Sequence, residues 1–391
     1  MISSINWYAL FPYFAFLVKS FGLLGVVLTI VSYTVYAERR VSAIIQDRLG
    51  PNRTGIPLTN IRIQGLGQPI ADAVKLLLKE DFTPAHVKKF YYWIAPALGI
   101  SAVILTLAAV PFGSTLNFDP FTQWLFNVKF GSIPMVIANL NVGILFIFAI
   151  SSLGVYGIVL AGWASNSKYP FLGGIRATSQ MISYELALGL SVIPLFMVLG
   201  KLNLVDAVQY QIQNGWLLLP ITKIELYFKG QIALTQVLTL REALLWIPMI
   251  ISFVVFMISL FAETNRTPFD LPEAETELAG GYNVEYSSMK FALFFLGEYA
   301  AMIAGSAVVV TLFLGGWHFP GIPDGSHGLF FGLLNIAVFF TKIVALLLFF
   351  IWVRWTLPRF RYDQLMRIGW IYFFEIALVN IFITAGILMY F

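Results

Sequence analysis

Hydrophobic residues come in eight long blocks along the chain, at 13–37, 91–111, 134–162, 175–199, 242–262, 288–314, 329–353 and 369–390. A hydrocarbon core of about 30 Å needs roughly 20 apolar residues at 1.5 Å each, so every block predicts a membrane-spanning helix. Two shorter stretches read differently. After Pro69, Ile70, Val74, Leu77 and Leu78 share one helical face, with Asp72, Lys75 and Lys79 on another. Such a stretch predicts an amphipathic helix at the interface or tucked under the bundle. A weaker pattern over Leu202–Gln213 predicts a surface helix that caps the bundle. The expected fold class is all-α, a polytopic membrane protein forming one integral membrane domain over 1–391, without internal repeats or low-complexity tracts. The first block has no basic leader and no A-x-A site before Ala37-Glu38, so it reads as a span and not as a cleaved signal.

Composition agrees with the pattern. At 59% hydrophobic and 11% charged, the chain is far from the half-apolar, quarter-charged soluble average, which excludes an ordinary cytosolic enzyme and a disordered chain. Cysteine is absent, so no disulfide, thiolate nucleophile, cysteine-ligated iron–sulfur cluster or cysteine zinc site forms within this chain. His86, His318 and His327 are scattered, which argues against a haem or metal centre. Any electrons are carried elsewhere. A net charge of +4 reads as the bias of membrane loops and not as a nucleic-acid footprint. With the N-terminus outside, the inner loops 38–90, 163–174, 263–287 and 354–368 hold fifteen lysines and arginines. The outer loops 112–133, 200–241 and 315–328 hold five. The positive-inside rule then predicts N-out, C-out.

Charges inside the spans carry the first functional signal, because a mid-membrane carboxylate costs at least about 2.5–3.5 kcal/mol. Glu185, Glu298, Lys342 and Glu375 fall within blocks, and Lys19 snorkels outward. An inert ion pair such as Glu298–Lys342 competes with proton or ion handling; for the set, ion handling is the better reading. The loop 263–287 and the span after it are denser still: Glu263, Asp270, Glu273, Glu275, Glu277, Glu285 and Glu298 are seven of the twenty acids. Asp270 fits an N-cap, with Pro272 in the first turn and Glu273 three residues on. The others have only Arg266 as a nearby cation in sequence. Closely spaced acids do not all ionise easily, so they exchange protons as a coupled set, as a relay requires. A merely solvated acidic loop is the competing reading.

AERRVSAIIQDRLGPNR at 37–53 and ETNRTPFDLPEAETELAGGYNVEYSSMKFALFFLGEY at 263–299 resemble two signature regions of the H-type membrane subunit of proton-pumping NADH:quinone oxidoreductase, respiratory complex I. QPIADAVKLLLKED at 68–81, GWASNSKYPFLGGIRATSQMISYE at 162–185, TLFLGGW at 311–317 and RWTLPRFRYDQLMRIGW at 354–370 extend the resemblance over nearly the whole chain. The resemblance implies a bacterial inner-membrane subunit that borders the peripheral arm and forms most of a tunnel for ubiquinone or menaquinone. It implies tunnel positions at Glu38, Arg39, Asp72 and Arg354, and coupling positions at Glu185, Glu263, Asp270, Glu273, Glu275, Glu277, Glu285 and Glu298. The partners implied are peripheral quinone-site and iron–sulfur subunits, antiporter-like and small membrane subunits, and lipid. Quinone is the substrate, and no cofactor is held covalently or by metal ligands. Phe291, Phe294 and Phe295 are candidates for lining the apolar slot, although each phenylalanine alone fits helix packing as well.

The chain departs from the family in its last span. Ile371 and Glu375 stand where a lysine and a proline usually follow Gly-Trp, which removes a lysine charge and an expected kink. Loop 200–241 is long for the family. A homologous coupling subunit of a hydrogenase-type or ferredoxin- or F420-fed complex is the alternative. A stand-alone transporter should show repeats and broken helices.

Overall fold

A computed structural model describes residues 7–55, 64–117, 131–218, 223, 240–272 and 275–390, with backbone only at 7–10 and 275–276. In chain order the helices are α1 (Trp7–Ile45), α2 (Gln68–Leu78), α3 (Lys89–Ala109), α4 (Gly143–Ala164), α5 (Lys168–Leu199), α6 (Leu204–Asn214), α7 (Leu240–Glu263), α8 (Glu275–Leu278), α9 (Ser288–Phe313), α10 (Leu329–Thr356) and α11 (Tyr362–Tyr390). Among the described residues eight of these are long and apolar enough to cross a membrane, all but α2, α6 and α8. A two-stranded ladder, β1 (Thr115–Asn117) with β2 (Ser132–Pro134), is antiparallel with Leu116 opposite Ile133. The all-α expectation left it out.

The spans run beyond their hydropathy blocks. α1 continues to Ile45 through Glu38, Arg39 and Arg40. α5 begins at Lys168, with Pro170 in its first turn, where a missing N–H costs nothing. α9 is the hub, and Ile303, Val309, Val310, Leu312 and Phe313 are fully enclosed. α4 lies on α3 backbone to backbone: a Cβ at Gly157 would stand 3.0 Å from the Ala95 carbonyl oxygen and from Gly99 N. Small residues permit such contacts between membrane helices.

Polar side chains close the far end of α9. Asn203 caps α6, its side chain accepting from Val205 N at 2.8 Å. Gln211 of α6 donates to the Thr311 and Leu312 carbonyls at 2.9 and 3.1 Å and accepts from Gly315 N at 2.9 Å. α6 therefore caps the bundle, as its pattern predicted. Lys342 donates to the carbonyls of Leu314, Gly316 and His318 at 2.7, 2.9 and 2.7 Å. This overturns the Glu298–Lys342 pair: the ammonium neutralises the carbonyl end of α9, and Glu298 lies about 22 Å back along that helix. Lys19 is held by the Pro134 and Val136 carbonyls at 3.2 and 2.9 Å.

The last helix is also not the plain rod that its lack of proline suggested. Ile368–Phe373 form a π-helical turn. Gly369 there lets α11 approach α5, since a Cβ would lie 3.3 Å from the Tyr184 ring. The Tyr184 hydroxyl donates to the Leu365 carbonyl at 2.9 Å, in the α-helical turn just before this irregular stretch.

Candidate functional site

Buried charge collects at one end of the bundle, where α1, α9 and α10 meet. Glu38 is 7% exposed. Its Oε2 accepts from the Tyr299 hydroxyl at 2.6 Å, and its Oε1 pairs with Arg354 in the last turn of α10. Arg39, about 100° further round α1, turns to α2 instead and pairs with Asp72 at 2.8 Å. Gln68 donates to the other Asp72 oxygen at 3.0 Å.

Arg266 extends the cluster inward. It is buried, its guanidinium lies 4.2 Å over the Tyr299 ring, and it reaches Glu298 at 3.6 Å. The Tyr282 hydroxyl donates to the other Glu298 oxygen at 2.7 Å. Nearby, Asp270 Oδ2 pairs with Arg359 at 2.8 Å, while its buried Oδ1 has no hydrogen-bond partner among the described residues. Burial pushes the Asp270 carboxyl up to about 6, with the Glu298 charge adding to the rise and Arg359 opposing it. Asp270 is therefore not the N-cap that its sequence suggested. No helix starts at Pro272 in the described residues; α8 begins at Glu275, and the carboxylate turns to an arginine instead.

Beyond Glu298 lies a cavity of about 120 Å³ whose lining includes Glu298, Glu263, Ser151, Asn265, Tyr282 and Phe294. A single water needs roughly 10–15 Å³ on this measure, so several fit. Glu185 stands close enough to Glu263 for their charges to interact and accepts a hydrogen bond from Ser152. Phe294 packs against the Tyr282 and Tyr286 rings at 5.4 and 4.8 Å.

The remaining candidates whose side chains are described lie apart from this group. Phe295 meets Phe291 at 4.6 Å and packs on the main core. Glu277 is half exposed and pairs with Arg176 at 2.6 Å. Glu285 is partly exposed, and its main-chain carbonyl accepts from the Tyr92 hydroxyl at 2.6 Å. Glu273 lies outside the described residues, and Glu275 is described only by its backbone in α8. The acidic loop has more cations than Arg266: Arg176 pairs with Glu277 and Arg359 with Asp270, both from other elements, and the Arg354 charge also acts on Asp270.

The sequence reading missed the residues that hold this arrangement. Gln180, fully buried in α5, donates to the carbonyls of Ala262 and Phe269 at 2.8 and 2.7 Å and pins the start of the acidic loop. Tyr282 and Tyr299 supply the hydroxyls on Glu298 and Glu38. Lys290, also buried, ties α9 to Asp81 at 3.0 Å and to Thr83 at 2.8 Å. An amide inside an apolar block was the available signal for Gln180. The tyrosines carried none, since aromatic residues are 16% of the chain.

A family model described as NADH dehydrogenase matches residues 18–385. The chain is 45% identical over 364 residues to an H-type NADH-quinone oxidoreductase subunit of Geobacter metallireducens, covering 93% of both chains. It is 42% identical over 382 residues to the H-type NADH-quinone oxidoreductase subunit of Rhodospirillum rubrum, covering 98% of this chain and 96% of the relative. With the corresponding protein of Ehrlichia ruminantium, which bears the same name, the identity is 44% over 366 residues, 93% of this chain and 87% of the relative.

Proposed function

The chain belongs to the NADH dehydrogenase family as a multi-pass inner-membrane subunit of bacterial complex I, and on that premise we propose that it admits quinone and couples quinone reduction to proton translocation. The Glu38–Tyr299–Arg354 group, with Arg39 and Asp72 beside it, borders the quinone path between α1, α2 and α9. The isoprenoid tail runs along apolar helix surface, and the headgroup is reduced against a neighbouring subunit that carries the electrons.

One observation carries this reading: a run of buried, mutually interacting charges from Glu38 through Tyr299, Arg266 and Glu298 to the cavity that Glu263 lines. A reduced quinone takes up two protons, and its transient negative charge acts strongly in a low-dielectric site. Arg354 and Arg266 respond first. The carboxylates behind them then gain or release protons as a coupled set, and waters in the cavity carry the change from Glu298 to Glu263 and Glu185. The neighbouring membrane subunits take it onward.

The test is proton pumping against NADH:quinone turnover in membrane vesicles that contain the assembled complex. Glu298→Gln and Glu263→Gln, each keeping the shape of the side chain, should lower pumping by about tenfold or more while the complex still assembles. Turnover and pumping both at the parental level in both variants would overturn the proposal.

A further inference from the structure

The outward face of α11 holds a carboxylate that the proposed proton path does not use. Glu375 sits six residues into the apolar block 369–390, about 9 Å past Gly369 and about 22 Å short of Tyr390 at 1.5 Å per residue. Packing sets its depth: Gly369 lies against Ser183 and Tyr184 of α5, and Ala377 packs with Ala187 and Val255. Glu375 is therefore at the membrane level of Glu185. The inward side of α11 is fully occupied, with Asn380 donating to the Pro248 carbonyl at 3.0 Å and to the Ser252 hydroxyl at 2.9 Å. Glu375 points the other way. It is exposed and makes no hydrogen bond or ion pair with any described residue.

Its neighbours on that side are Tyr372, Val379, Phe382 and Met389, all exposed, with Gly386 between the last two. A Cβ at Gly386 would meet nothing within 4 Å, so packing inside this chain does not require the glycine. Small residues on an outward face let a second membrane helix approach closely. A carboxylate facing lipid is costly, and from this depth its short side chain does not reach back to the charged turn at Arg367. A cation at contact distance in a low-dielectric surrounding offsets that cost.

We propose that this face of α11 docks a membrane-spanning helix of another subunit, one that presents a lysine or arginine at the level of Glu375. The inference needs only that the chain assembles with other membrane subunits, and it is independent of the quinone path and of Glu298.

The experiment uses the complex assembled in its native membrane. A photo-crosslinking phenylalanine analogue at Phe382, and separately at Val379, should give one product with a different membrane subunit whose spanning helix carries a basic residue at the matching depth. Glu375→Lys should lower the yield of intact complex by about tenfold, and exchanging the partner's basic residue for glutamate should restore it. Crosslinks only to lipid or to a second copy of this chain would overturn the inference. So would Glu375→Leu and Glu375→Lys complexes recovered at parental yield. Crosslinking is read whether or not pumping depends on Glu298, so failure here leaves the proton-path reading standing.

Discussion

Glu38 and Arg39 adjoin in sequence, yet one is buried against Tyr299 and Arg354 and the other pairs with Asp72 at the surface of α2. Tyr299 is the residue on which the buried half depends, because its hydroxyl satisfies Glu38 Oε2 and its ring carries the Arg266 guanidinium. Tyr299→Phe keeps the ring and removes one donor to a buried carboxylate, at a cost of about 1–3 kcal/mol. Faster hydrogen exchange at the end of α1 and a lower melting temperature of the purified complex should follow, with Arg266 still stacked. Asp270 adds a pH dependence. Its carboxyl titrates near 6 in the folded chain, above its ordinary range, because burial disfavours the charge. A raised value means that the folded form holds the proton more tightly, so this contribution to stability is complete below the ordinary aspartate value and is lost as pH rises through about 6. The Arg359 pair forms in full only above that pH. NADH:quinone activity should therefore show an inflection near pH 6 that Asp270→Asn abolishes; a profile unchanged by the substitution would separate this carboxyl from turnover.

At the scale of elements, the position of the acidic loop depends on how closely α5 meets it. Gly173 faces the backbone of the 281–282 turn, where a Cβ would stand 2.9 Å from Tyr282 N and 3.1 Å from the Gly281 carbonyl carbon. Backbone cannot yield as a flexible side chain can. Gly173→Ala should displace that turn, and with it Tyr282 from Glu298, at roughly 1–3 kcal/mol. Gly174→Ala is the internal control, since its nearest contact is an ordinary 3.5 Å. Recovery of intact complex should fall for the first substitution and hold for the second. The spans themselves were legible because about twenty apolar residues leave few alternatives. Their ends were not. Hydropathy closes α1 at the first charges, whereas the helix continues because Glu38 and Arg39 find partners on α9, α10 and α2. Asp270 failed as an N-cap for a related reason: local spacing described a good cap, but a distant arginine offered a buried acid more than a helix start did.

Across the whole molecule, the candidate acids could be read from sequence while their partners, Arg266 apart, could not. The cations on Asp270, Glu277 and Glu38 lie 89, 101 and 316 residues away, separations over which local pattern says nothing. Resemblance to the family supplied the positions, and packing supplied the connections among them. Orientation is the one global property that charge alone predicts, through the excess of lysine and arginine in loops 38–90, 163–174, 263–287 and 354–368. The chain lends itself to a clean test, because it has no cysteine and a single introduced thiol is the only one to label. Lys201, just past the end of α5, and Arg361, just before α11, are both exposed and lie on opposite sides in the N-out arrangement. Lys201→Cys should react with a membrane-impermeant maleimide in cells whose inner membrane is intact. Arg361→Cys should react only after that membrane is opened. The reverse pattern would invert the chain in its membrane and place Glu38, Arg354 and the acidic loop on the outer side, and the quinone-coupling proposal, which sets an electron-carrying neighbour against those inner loops, would fall with the orientation.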